Sequence, residues 1–217
     1  MVERSRRSAG ATVAATITAL REGIAANLAG GTHHAYRDAG SGFCVFNDSA
    51  ISARTVQREI SPSLKIAVID LDVHQGNGTA SILQNDASIF TLSIHGENNF
   101  PFRKEASDLD MGLADGCNDD TYLRSLGNCL DQLNERFKPD CLIFLAGADP
   151  HEGDRLGRLR VSKEGMRLRD EMVFQYALDR QLPIAFSMAG GYGKDIESTV
   201  DIHFQTIKTA LHFQQQY

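Results

Sequence analysis

The chain has 217 residues, of which 42% are hydrophobic and 23% charged, a composition typical of a globular protein with a buried core. No stretch approaches the ~20 consecutive apolar residues that a membrane-spanning helix needs, so we expect no membrane partner. The formal net charge of −6 argues against nucleic acid as the main partner, because phosphate binding requires a basic face. The amino end lacks the apolar segment of a secretion signal, and the cysteines form no Cys-x-x-Cys pair. We therefore predict a cytoplasmic protein with reduced thiols.

Predicted helices and short apolar strands alternate along the chain. Residues 8–29 are rich in Ala, Leu and Ile and predict the first helix, and a polar, Gly-rich segment follows it. Runs that are apolar on both faces predict buried strands at 64–70, 88–94, 140–145 and 183–188. The pattern predicts further helices at 48–60, 76–84, 119–138, 163–180 and 194–214, and a long loop at 95–117. This alternation predicts a single α/β domain over residues 1–217, with three layers (αβα) around a mainly parallel sheet.

A candidate metal site follows the first predicted strand. Open parallel sheets bind ligands outside the carboxyl ends of their strands, where the segment 70–78 reads Asp-Leu-Asp-Val-His-Gln-Gly-Asn-Gly. Asp70, Asp72 and His74 alternate in an extended segment, so their side chains point the same way. With Asp149, after the third strand, they form a ligand set of the catalytic zinc type, and ferrous iron is an alternative. The plain alternative is that the aspartates are turn residues and His74 a surface histidine.

Other polar and aromatic residues lie at the same predicted edge. His33 and His34 are adjacent in a Gly-rich loop and form a candidate general acid/base pair, because histidine titrates near neutral pH. Tyr192 follows the fourth strand, where its hydroxyl could donate a hydrogen bond to a developing oxyanion. Phe43 and Phe100 are candidates for the apolar walls of a narrow channel. Each has a structural alternative, namely exposed polar surface for the histidines and packing for the aromatic residues.

Taken in order, these motifs resemble the histone deacetylase superfamily over essentially the whole chain, and its bacterial class IV-type branch in particular. The resemblance rests on Gly31-Thr-His-His34, Gly42-Phe-Cys-Val-Phe-Asn-Asp48, the segment 70–78, Ala146-Gly-Ala-Asp149 and Gly190-Gly-Tyr192. The branch is indicated by Asn99-Phe-Pro-Phe-Arg-Lys-Glu105 and Ser107-Asp-Leu-Asp110. Any one of these motifs alone would be weak, but their combination is specific.

The resemblance implies an arginase/deacetylase-like fold and a role for each matching residue. It implies that zinc is bound by Asp72, His74 and Asp149. The histidine dyad would be His33 and His34, with His34 as general base and acid, Asp70 orienting His33, and Tyr192 polarising the amide carbonyl. A structural potassium ion would be held by the side chains of Asp70 and Asp72, the carbonyls of His74 and Ile94, and the Ser93 hydroxyl. The acyl-lysine tunnel would be lined by Gly42, Phe43, Phe100, Gly190 and Gly191.

The implied activity is zinc-dependent hydrolysis of an acyl amide, with acyl-lysine in protein as the first substrate and a small acylated amine, such as an acetylpolyamine, as the second. Two departures from the family qualify this expectation. Asn77 stands where many members carry Asp, so His34 should be less basic. We also expect the chain to lack the first strand region of the family, which would expose an edge and favour a homo-oligomer.

Two other functions stay open on the sequence. One is a binuclear manganese ureohydrolase of the same fold, which needs more carboxylate ligands in the order Asp-x-His-x-Asp. The other is a module that binds metal without catalytic activity.

Overall fold

A six-stranded, entirely parallel sheet forms the centre of the protein, in a computed structural model that describes residues 1–217. The strands are β1 (Ile24–Asn27), β2 (Ile66–Asp70), β3 (Ile89–Gly96), β4 (Leu109–Leu113), β5 (Cys141–Leu145) and β6 (Ile184–Ser187). The helices are α1 (Val2–Glu22), α2 (Asp48–Glu59), α3 (Asn77–Leu83), α4 (Asp119–Arg136), α5 (Lys163–Asp179) and α6 (Ile196–Gln214). Across the sheet the strand order is β1-β6-β5-β2-β3-β4. The predicted α/β fold class is confirmed.

Both edge strands of the sheet correct the sequence prediction. Strand β1 lies inside the segment 8–29 that was predicted as one helix, because α1 ends at Gly23, where φ is 90°. This left-handed conformation suits glycine and terminates helices. Strand β4 lies inside the predicted loop 95–117, and its exposed residues alternate with residues that are half-buried or, at Leu113, buried. Such short edge strands have a weak hydrophobic pattern, since only one of their faces packs on the core.

Two hydrophobic clusters cover the two faces of the sheet and form the three layers. Alternate residues of β2 point to opposite faces, so Ala67 and Ile69 join the larger cluster while Ile66 and Val68 join the smaller. The larger cluster includes residues of α4, α5 and α6, and the smaller includes residues of α2 and α3 with α1 packed against it. None of the helices combines the length and the apolar character that crossing a membrane requires.

The register of the central strands brings the candidate site together. Strand β2 lies between β3 and β5, and its last residue, Asp70, is paired with Ser93 on one side and Leu145 on the other. Leu145 is in turn level with Ser187 of β6. The turns after β2, β5 and β6 therefore leave the sheet at one height and along one edge, which is where ligand sites of parallel sheets form.

Candidate active site

A cavity of about 640 Å³ opens at the carboxyl edge of the sheet. Most of the residues singled out from the sequence line it, namely His33, His34, Gly42, Phe43, Asp72, His74, Phe100, Gly190 and Tyr192. Its volume lies within the range of small-molecule sites. The residues come from five separate parts of the chain. The strand register described above brings together the turns after β2 and β6, and the loops that carry residues 33–43 and Phe100 complete the wall.

Three metal-ligand side chains meet at the buried end of this cavity. The ligand atoms of Asp72, His74 and Asp149 all lie within 4.8 Å of one another, and all three residues are buried. His74 Nδ1 lies 2.9 Å from Asp72 Oδ1 and 3.2 Å from Asp149 Oδ2. Apart from this approach of His74, Asp149 Oδ2 is buried without a hydrogen-bond partner, which is unusual for a carboxylate oxygen. This unpaired oxygen and the N/O donor set fit a divalent cation such as zinc or ferrous iron.

Backbone groups from two turns hold the carboxylates in place. The Val73 N–H donates to Asp149 Oδ1 at 2.8 Å, and the Gly190 N–H donates to Asp72 Oδ2 at 2.8 Å. A Cβ on Gly190 would lie 2.1 Å from Asp149 Oδ2, so only glycine lets the backbone approach this closely. The structure thus explains why a glycine follows β6 here.

The electrostatics of the three side chains also suit a cation. Burial and the charge of Asp72 raise the pKa of Asp149 to about 7. The pKa of Asp72 stays below its usual range because His33 and His74 outweigh the effect of burial. Burial would lower the pKa of His74, but Asp149 and Asp72 raise it to about 10. The two carboxylates therefore retain a proton on or beside His74, and a divalent cation would take the place of that proton.

The two adjacent histidines have opposite environments. His33 Nδ1 lies 2.6 Å from Asp70 Oδ2, and His34 Nδ1 lies 2.7 Å from Asn77 Oδ1. Burial disfavours the charge on His33, but Asp70 and Asp72 outweigh it and raise its pKa to about 9. Burial and the His33 charge lower the pKa of His34 to about 3. At pH 7, His33 is therefore charged and His34 neutral.

The hydroxyl of Tyr192 remains a hydrogen-bond donor across the physiological range. Burial and the charges of Asp72 and Asp149 raise its pKa to about 12. The Tyr192 N–H donates to Asp154 Oδ2 at 2.6 Å, which holds the tyrosine at the cavity. The aromatic walls lie nearby: Phe100 meets His34 edge-on with centroids 4.9 Å apart, and Phe43 lies at the rim with 89% of its surface exposed.

A few predicted site residues lie behind the cavity wall. Gly191 does not line the cavity, and a Cβ at this position would point toward Thr199, Ala148 and His203 instead. Asp70 and Ser93, which belong to the predicted potassium site, are buried side by side, Asp70 as the last residue of β2 and Ser93 within β3. Ile94 follows Ser93 in the buried strand β3.

Two aspartates that support the site were missed by the sequence analysis. Asp48 accepts hydrogen bonds from the Gly31 and Thr32 N–H groups, at 2.9 and 2.7 Å, and so fixes the loop before the histidines. Asp154 also accepts from the Leu156 N–H. Both occur in segments rich in Gly, Asp and Asn, where such residues commonly act as turn formers. The sequence pattern therefore did not distinguish them from ordinary turn residues.

Comparisons with known proteins identify the family of the chain. The histone deacetylase domain model matches residues 1–207. An uncharacterised protein of Picosynechococcus sp. is 45% identical over 203 residues, which are 94% of this chain and 67% of the relative. Histone deacetylase 2 of Arabidopsis thaliana is 34% identical over 192 residues, 87% of this chain and 49% of the relative.

A solved structure shares the fold. The crystal structure of acetylpolyamine aminohydrolase from Burkholderia pseudomallei superposes with a TM-score of 0.78 and 27% identity, covering 94% of this chain and 61% of that one. The chain thus spans about half to two thirds of the length of these three proteins. The domain match and these relatives together place the chain in the histone deacetylase family.

Proposed function

We propose that this protein is a metal-dependent deacylase, with zinc as the ion, that hydrolyses the amide of an acyl-lysine side chain. The observation that carries the proposal is the meeting of Asp72, His74 and Asp149 around one point at the bottom of a cavity, beside a buried histidine pair. Zinc is the first choice because its catalytic sites use three N/O ligands and an open position. Ferrous iron would fit the same donors.

The two histidines divide the proton chemistry. When bound, zinc supplies a Lewis acid that lowers the pKa of a water molecule and polarises the acyl carbonyl. His34 is neutral at pH 7, so it takes the proton of the attacking water and then delivers it to the leaving amine. His33 is held by Asp70 and carries a positive charge, so it stabilises the negative charge that develops. Pairs with such opposed pKa shifts are typical of acid/base sites.

Tyr192 completes the proposed machinery. Tyr192 lines the cavity and keeps its hydroxyl protonated, and this hydroxyl would donate a hydrogen bond to the acyl oxygen as negative charge builds on it. Gly42, Phe43, Phe100 and Gly190 line the same space and would enclose the acyl-lysine stem. The proposal includes a structural potassium ion at Asp70, Asp72, His74, Ser93 and Ile94; its support is the pairing of Asp70 and Ser93 on neighbouring strands.

The charges of the cavity favour acyl-lysine over an acetylpolyamine. Asp72 is the only carboxylate residue in the lining, and the proposed metal uses it. The outer wall carries Arg158, so a substrate with further ammonium groups would find no free countercharge inside. The acetylpolyamine remains the second candidate because the fold and 27% of the aligned residues are shared with an acetylpolyamine aminohydrolase.

A substrate panel with defined zinc tests the proposal. We expect release of acetate from acetyl-lysine peptides, loss of this activity with a chelator, and loss with Asp149→Ala. Asp201→Asn, at an exposed ion pair with Lys163, is the control and should stay active. Faster turnover of an acetylpolyamine than of any peptide would favour the second substrate. Zinc binding without turnover would indicate an inactive module, and two manganese ions per chain would revive the ureohydrolase.

A further inference from the structure

A chain of hydrogen bonds leads from His34 away from the cavity to a carboxylate. His34 Nδ1 lies 2.7 Å from Asn77 Oδ1, and Asn77 Nδ2 donates to the Tyr36 hydroxyl at 2.8 Å. The Tyr36 hydroxyl in turn donates to Glu105 Oε1 at 3.3 Å. Asn77 is buried, while Tyr36 and Glu105 are half-buried at the outer end of the chain.

The carboxylate of Glu105 fixes which group donates in each of these hydrogen bonds. An ionised carboxylate only accepts hydrogen bonds, so the Tyr36 hydroxyl must use its single proton toward Glu105. The Tyr36 oxygen is then an acceptor for the Asn77 NH₂ group. This leaves the Asn77 carbonyl oxygen facing His34, and His34 must therefore donate from Nδ1.

This direction matters because an amide has two different ends. An asparagine side chain that turned over would present its NH₂ group to His34 and favour the tautomer whose proton is on Nε2. In that tautomer Nε2 has no free lone pair and could not accept a proton. An aspartate at the same position would accept with either oxygen, so it would need no such control.

We propose that Tyr36 is a positioning residue that, together with Glu105, fixes the Asn77 amide and thereby keeps the His34 ring proton on Nδ1. The inference rests on the proposed function, in which His34 is the general base. It assigns a role to Tyr36 and Glu105. That role is required because position 77 is an asparagine, whose amide must be held in one orientation, and not an aspartate.

Glu105, at the outer end of this series of hydrogen bonds, is held in place by its own backbone contacts. The Gln75 side chain donates from Nε2 to the Glu105 carbonyl at 2.7 Å, and its Oε1 accepts from the Glu105 N–H at 2.9 Å. Gln75 is fully buried and lies two residues before Asn77. The backbone of Glu105 is thus tied to the same turn that carries Asn77.

A double-mutant cycle tests the inference. Tyr36→Phe should lower kcat by at least about tenfold, since a positioned base contributes 10²-fold or more, with little change in KM. In the Asn77→Asp background the same change should alter kcat by less than about twofold, because aspartate has no orientation to lose. Tyr217→Phe removes a hydroxyl that donates to the Leu182 carbonyl, far from the cavity, and is the matched control.

The tautomer of His34 gives a second readout that does not depend on turnover. Nitrogen-15 NMR of the ring, with and without zinc, should place the proton on Nδ1 in the unmodified protein and show a shift toward the Nε2 tautomer in Tyr36→Phe. An unchanged tautomer in that variant, or an equal loss of kcat in both backgrounds, would overturn the inference. Absence of any deacylase activity in the unmodified protein would instead refute the proposed function and leave the NMR test intact.

Discussion

Tyr192 is the residue whose removal should affect chemistry most selectively. Tyr192→Phe deletes the hydroxyl and keeps the ring against the cavity, and the loop remains held by the backbone bond to Asp154. Loss of one oxyanion donor costs about 10²–10³ in kcat, so we expect a fall of that size with zinc content and KM nearly unchanged. Steady-state kinetics and metal analysis measure both. A variant that also lost its zinc would show that the tyrosine supports the site rather than the reaction.

His203 should make the fold sensitive to acid. Its Nδ1 is buried without a partner, and burial and the Arg169 charge lower its pKa to about 4. At pH values between about 4 and the ordinary histidine pKa of 6.5, His203 binds a proton in the unfolded chain but not in the folded protein. The free energy of unfolding should therefore fall as the pH drops through this window, by on the order of 2 kcal/mol.

Urea unfolding of the metal-free protein at pH 7 and pH 5 measures the contribution of His203. His203→Gln cannot take up this proton, so its stability should depend less on pH than that of the unmodified protein. Equal losses in the two proteins would contradict the assignment.

At the scale of single elements, the turn after β6 depends on the absence of a side chain. In Gly190→Ala the new Cβ would lie 2.1 Å from Asp149 Oδ2 and 2.6 Å from Asp72 Oδ2, so both carboxylates must move. We expect zinc affinity to fall by at least about tenfold, as for other disturbed ligand supports, measured by competition with a chelator. Gly127→Ala in α4 meets only Met172 Cε at 3.6 Å and should keep its zinc affinity.

Helix α5 supports the turn before Asp149 through a buried ion pair. Arg169 is fully buried, donates to the Gly147 carbonyl, and makes two bonds to Asp170 Oδ1, while Thr206 of α6 donates to Asp170 Oδ2 at 2.6 Å. Arg169→Met would leave Asp170 buried without its countercharge, a loss of about 3–5 kcal/mol in unfolding free energy. Replacing both residues with methionine should cost less than the single change. Denaturant titrations of the three proteins decide this, and an additive double variant would argue against the pair.

The central strands of the sheet could be predicted from the sequence, but the edge strands could not. The four central strands were predictable because burial on both faces makes them continuously apolar, as in Ile66–Asp70. The edge strands were not, since β1 continues the Ala-rich composition of α1 and β4 has a polar face. In the site, Asp72, His74 and Asp149 follow strands and were predictable by position, whereas Tyr36 acts through contacts with Asn77 and Glu105 that no spacing reveals.

At the scale of the whole molecule, the parallel register of the sheet links the ion to the fold. The proposed ligands sit on turns after β2 and β5, and the supporting glycine on the turn after β6. No local segment of the chain contains a complete ligand set, so the unfolded chain should bind zinc far more weakly than the folded protein. Zinc at 100 times its Kd should then add about 2.7 kcal/mol to the unfolding free energy.

Thermal unfolding with increasing zinc measures this linkage. Tm should rise with the logarithm of free zinc and return to its starting value on chelation, while Asp149→Ala should show no rise. A Tm that did not change with the zinc concentration would mean that zinc has no preference for the folded over the unfolded chain.

The proposed ligands follow the adjacent strands β2 and β5. Separation of β5 from β2 would therefore release the ion before the rest of the sheet unfolded. Release of the metal would then be an early reporter of partial opening. A fluorescent zinc indicator could follow that opening in real time, at denaturant concentrations where helix content is still native.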